Sequence, residues 1–93
     1  MQVTVKYTNH FLNKLEGLIS ETDYTLRYEK GNFQPGYCIL KESKIVIINK
    51  FFALEGKVNS LIEILWLIKI DTGRLSDTNK KFYAEITRNQ SHF

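Results

Sequence analysis

The sequence predicts an α+β domain in which helices pack on a three-stranded antiparallel sheet, in the order helix, three strands, helix, helix. Three observations carry this. Phe11, Leu12, Leu15, Leu18 and Ile19 recur at three- and four-residue spacing, which puts them on one side of a helix. Tyr24, Leu26 and Tyr28 alternate with polar residues, the period of a half-buried strand. The runs Tyr37–Lys41 and Lys44–Asn49 are rich in Ile, Val and Tyr and are separated only by Glu42-Ser43, so an antiparallel hairpin is the economical reading.

Each element has its own start and stop signals. Thr8 and Asn9 offer oxygen acceptors to the free N–H groups of a helix start, which sets the first helix at about residues 9–20. Ser20-Glu21-Thr22-Asp23 competes for backbone hydrogen bonds and ends it. The stretch 30–36 holds Gly31, Gly36 and the single proline, Pro35, residues that suit turns, so it reads as a loop. The turn at Glu42-Ser43 has no glycine, which is unusual for so short a hairpin. Ile45-Val46-Ile47-Ile48 is apolar on both faces, as a strand packed on both sides or at a subunit contact would be.

Phe51 and Phe52 read as core anchors ahead of the second helix, Leu54–Ile70. Leu54, Val58, Leu61, Leu65 and Ile68 form one stripe of it, while Ile62, Ile64, Trp66, Leu67 and Ile70 carry apolar surface round the rest. A helix wet on one side does not look like this. It is buried either within the chain or against a second copy, and the expected consequence is a homodimer or a protein partner. Gly73 suits a left-handed C-terminal turn, and Ser76 caps a last helix with Phe82, Tyr83 and Ile86 on its apolar side.

With 93 residues the chain makes one small domain, 1–93, with ends at about 1–7 and 90–93 expected to be flexible. The alternation of Val3, Val5 and Tyr7 leaves a fourth strand open there. A net charge of +3 is spread along the chain and no dense basic block occurs, so charge alone makes a poor case for nucleic acid. The single cysteine, Cys38, excludes an internal disulfide framework and fits a reducing, cytoplasmic compartment. The N-terminus lacks the apolar segment of a signal peptide, and no apolar run is long enough to span a bilayer, so no membrane association is expected.

The residues give chemistry little to work with. His10 and His92 have no spaced Cys, His or carboxylate partner for a metal. Cys38 sits between Tyr37 and Ile39 in a strand, where a free cysteine behaves as a small apolar residue. Gly56-Lys57 lacks the hydroxyl residue and the first glycine of a phosphate loop, and no serine lies in a Gly-x-Ser-x-Gly turn. Glu63 stands out on an otherwise apolar helix. It reads as a boundary residue paired with a lysine or facing solvent, with acid–base catalysis as the alternative. No cofactor is implied.

Two resemblances attach to the middle of the chain. The stretch Gly31-Asn32-Phe33, then Gly36-Tyr37-Cys38, resembles a group of small bacterial proteins of uncharacterised activity, which brings no function with it. The strand Lys44–Asn49 followed by the helix through Leu61 is similar to the strand–helix unit of small zinc peptidases. There a His-Glu-x-x-His motif binds zinc and supplies a general base. Its histidine positions fall near Glu63 and Leu67, and its glutamate near Ile64, so none of the required residues is present.

The expected contact residues are Lys30, Asn32, Phe33, Gln34 and Tyr37 in and beside the loop, with Trp66 and Leu67 on the second helix. The leading expectation is a small cytoplasmic domain that acts by protein–protein contact or self-association and not by catalysis. A second is a nucleic-acid-binding module with Arg27, Lys30, Phe33, Lys41 and Lys44 on one side of the sheet. A third is a zinc-peptidase scaffold without its metal site.

Overall fold

The computed structural model describes residues 5–31 and 36–90, with side chains as far as residue 88. Helix α1 spans Asn9–Ser20. The Thr8 hydroxyl accepts a hydrogen bond from Phe11 N (3.1 Å), one of the free donors at a helix start. Thr22 ends the helix. Its hydroxyl donates to Ile19 O (2.7 Å) and accepts from Tyr24 N (3.0 Å), so the chain turns directly into the sheet.

The strands are β1 (Thr25–Glu29), β2 (Tyr37–Leu40) and β3 (Ile45–Asn49), in spatial order β1-β3-β2. The β2–β3 hairpin is antiparallel as expected, but β1 runs parallel to β3, so the sheet is mixed and not purely antiparallel. The reason lies in the connection 30–36. β1 ends beside Asn49 on one side of β3 and β2 begins beside Ile48 on the other, a step of two strand spacings, about 10 Å. Asn49 ties down both ends of that step: its side-chain amide donates to Gly31 O (3.0 Å) and its backbone N–H to Gly36 O (3.1 Å). Gly36 holds a φ of +118°, and a Cβ there would lie 2.0 Å from Phe52 Cζ, so both conformation and space demand glycine. At the hairpin, Lys44 takes a φ of +58° in place of the missing glycine.

Helix α2 (Leu54–Leu67) lies among α1, β3 and α3. That position accounts for its apolar surface within one chain: Val58, Leu61, Ile64 and Leu65 are fully buried. The helix stops earlier than its composition suggested, because Ile68 is extended (φ −95°, ψ 155°). Ile68 still reaches the core. Gly73 lies in a short 3-10 turn, Thr72–Arg74, and not in a left-handed cap, with Asp71 Oδ1 accepting from its N–H (3.0 Å).

Helix α3 (Asp77–Gln90) is tied on at both ends of its described part. Ser76 N donates to Glu21 Oε1 (2.8 Å), and Trp66 Nε1 donates to Ile86 O (3.0 Å). Phe82 meets Phe11 edge to face at 5.6 Å. Residues 5–7 form no strand; Val5 packs on the core and the Tyr7 hydroxyl donates to Asn59 Oδ1 (3.0 Å).

Candidate functional site

Cross-strand partners point to the same side of a sheet, so the register divides the strands cleanly into two faces. Leu26, Tyr28, Val46, Ile48, Tyr37 and Ile39 face the helices. Thr25, Arg27, Glu29, Ile45, Ile47, Asn49, Cys38 and Leu40 face away.

The helix side is closed by a symmetrical device. Tyr28 and Tyr37 flank the buried Ile48 in one row, and each phenol is held by a glutamate on a different helix. The Tyr28 hydroxyl donates to Glu16 of α1 in a short hydrogen bond, and Lys57 Nζ lies 5.2 Å from its ring centre. The Tyr37 hydroxyl donates to Glu63 Oε1 at 2.7 Å. Glu63 is exposed, in line with the solvent-facing reading, and it also accepts from Tyr37, which joins α2 to the edge of the sheet. Burial, and then the bond to Glu63, pushes the Tyr37 phenol up to about 12. The Tyr28 phenol is raised further by burial and then by Glu16. Both phenols are thus firmly protonated at neutral pH, which suits clasps and not proton transfer.

The far side is different. No helix among the described residues packs on it. Cys38, Ile45 and Ile47 are only half-buried, and Leu40 is 41% exposed. Arg27 and Glu29 form an ion pair along its β1 margin. This open apolar surface was the feature hardest to see from composition. Its signal was the two-sided apolarity of Ile45–Ile48, which places β3 in the middle of the sheet but does not say that only one side is covered.

The expected contact residues do not come together. Lys30 and Tyr37 lie at the end of the sheet where β1 and β3 finish, and Tyr37 turns inward to Glu63. Trp66 and Leu67 lie at the opposite end, where with Tyr24, Lys41, Ile68 and Lys69 they line an open hollow of about 440 Å³. Trp66 is half-buried, whereas Leu67 is 51% exposed. Asn32, Phe33 and Gln34 fall outside the described residues. Phe51 is no core anchor: it is 68% exposed, and only Phe52 packs inward. Adjacent residues in a turn point in different directions, so just one of the pair finds the core.

The basic set is equally divided. Arg27 has Glu29 as partner, and Lys44 lies 3.4 Å from Asp23 and 5.3 Å from the Tyr24 ring centre. Lys30 is at the other end of the sheet from Lys41 and Lys44.

Among the described residues no group of three His, Cys, Asp or Glu could hold a metal ion. Of the positions matching the peptidase motif, Ile64 is fully buried, Leu67 is exposed and Glu63 is engaged by Tyr37. No helix among the described residues is long and apolar enough to cross a membrane. Comparison with family models, curated proteins and solved structures finds no match to the chain.

Proposed function

We propose that this chain is a small protein-contact module that self-associates through the β2 side of its sheet, and that it carries out no catalysis of its own. The observation that supports this is the concentration of uncovered apolar surface around β2. On the open face Leu40 is exposed and Cys38, Ile45 and Ile47 are half-buried, and on the helix side Leu67 is exposed. Uncovered apolar surface of this kind marks contact sites in small domains. Cys38 on the open face fits a reducing compartment such as the cytoplasm, where it stays a thiol.

The nucleic-acid reading draws less support, because Arg27 and Lys44 carry acidic partners and the remaining cations are split between the two ends of the sheet. The peptidase-scaffold reading rests on the strand–helix likeness alone.

Sedimentation equilibrium over a range of loading concentrations tests the proposal. A mass rising from 10.9 kDa toward twice that value is expected. A single 10.9 kDa species at every concentration removes self-association. Contact with a different protein would then be the form of the proposal left to examine.

A further inference from the structure

We infer that the partner is a second copy of this chain, joined edge to edge through β2 about a two-fold axis at Cys38, so that two three-stranded sheets become one six-stranded sheet. The inference rests on the self-association proposed above and specifies its geometry.

The hydrogen-bond pattern supplies the first argument. Asn49 N–H donates to Gly36 O, and backbone groups in a strand alternate between its two sides. Gly36, Cys38 and Leu40 therefore direct their N–H and C=O groups to β3. Those of Tyr37 and Ile39 point away from the sheet, since β2 is an edge strand. Exposed edges are normally guarded by shortness, lysine, proline or a bulge that discourages pairing, and β2 is short, at four residues, with Lys41 just after it. Tyr37-Cys38-Ile39-Leu40 has no charged residue and no proline.

A second copy matches this edge without adjustment. With Cys38 on the axis, antiparallel pairing sets Tyr37 opposite Ile39 of the second copy, and the reverse. Each pair brings together the residues whose backbone groups have no strand partner among the described residues. An axis perpendicular to the sheet keeps the helices of both copies on one side. Tyr37 then packs beside Ile39 as an aromatic and β-branched pair, a favourable cross-strand combination.

The side chains above the joint complement one another. Residues 37, 39 and 41 share the helix side, so Lys41 of the second copy is a diagonal neighbour of Tyr37, within a long side chain's reach of the Glu63 carboxylate that Tyr37 holds. Opposite charges thus meet twice across the axis. Leu67 lies one helical turn beyond Glu63 and so on the same side of α2, facing the joint. Its 51% exposure in the single chain is then surface that the second copy covers.

The alternative arrangement stacks the two open sheet faces, and two substitutions separate them. Cys38→Lys puts like charges opposite each other on the axis, whereas Ile47→Lys alters the open face at β3, away from the edge. Mass measurement by light scattering is expected to show a dimer for the wild type and for Ile47→Lys, and a 10.9 kDa monomer for Cys38→Lys. A monomeric Ile47→Lys, or a dimeric Cys38→Lys, overturns edge pairing while leaving self-association intact. A monomeric wild type removes self-association itself. Amide exchange on the wild type guards against variants that fail to fold. At a concentration where the protein is dimeric, Tyr37 and Ile39 N–H exchange is expected to slow several-fold relative to dilute protein. Exchange unchanged by dimerisation overturns edge pairing.

Discussion

Helix α2 and strand β3 share one property in the sequence, apolar residues all round, and the fold treats them differently. α2 lies among α1, β3 and α3, so most of its apolar surface, Leu67 excepted, is satisfied within a single chain. β3 is enclosed on one side only. Val46 and Ile48 are fully buried, while Ile45 and Ile47 remain half-exposed on the side without helices. All-round apolarity therefore signals a central element, and it does not reveal whether the covering layer belongs to the same chain. The helix buries most of its apolar surface within the chain and leaves Leu67 outside, and the strand beside it keeps one whole side uncovered among the described residues.

The largest expected effect tests that contrast inside β3 itself. Ile48→Ala removes a fully buried side chain and is expected to cost about 2–5 kcal/mol of stability. Ile47→Ala, one residue away on the open side, is expected to cost under about 1 kcal/mol in dilute protein. Denaturant titration of both checks this. Equal losses would show that the two sides are buried alike.

Next is the loop end of the sheet. Gly36→Ala meets a strained φ and the Phe52 ring together, and is expected to lose about 1–3 kcal/mol in the same titration. A variant as stable as the wild type would mean that the 30–36 crossing has another path.

The clasp on the closed side gives a pH-dependent effect. The Tyr37 phenol is raised from about 10 to about 12, so the native state holds this proton more tightly than the unfolded chain. The stability this supplies is fully present below about pH 10 and is lost as pH rises toward about 12. Tyr37→Phe is expected to flatten part of that alkaline loss in thermal melts between these pH values. An unchanged slope would separate Tyr37 from it.

The smallest effect is at the hairpin. Lys44→Gly relieves a left-handed φ but gives up the Asp23 pair, an exposed contact of little energy. A net gain of up to about 1 kcal/mol is expected. A loss would mean that Lys44 matters more through Asp23 and Tyr24 than through its backbone.

Local structure was legible in the sequence, and long-range placement was not. The first helix, the hairpin strands and the order of elements follow from periodicity and capping, which act over a few residues. Strand order does not follow. A connection such as 30–36 is long enough either to turn back beside β1 or to cross β3, and the contacts at its ends are made by Asn49, which lies beyond it in the chain. The clasp between Tyr37 and Glu63 joins residues 26 apart and leaves no periodic trace. For the same reason the expected contact residues were split: Tyr37 is taken up by Glu63, and Leu67 emerges at the opposite end of the sheet.

The melting temperature of the wild-type protein as a function of its own concentration is the most direct test of the central claim. If a second copy pairs with the β2 side of the sheet in the folded state, association stabilises that state by mass action. The midpoint then rises steadily with concentration. A midpoint that stays constant from dilute to concentrated protein would contradict the account, because the exposed surface around β2 would then have no partner in a second copy.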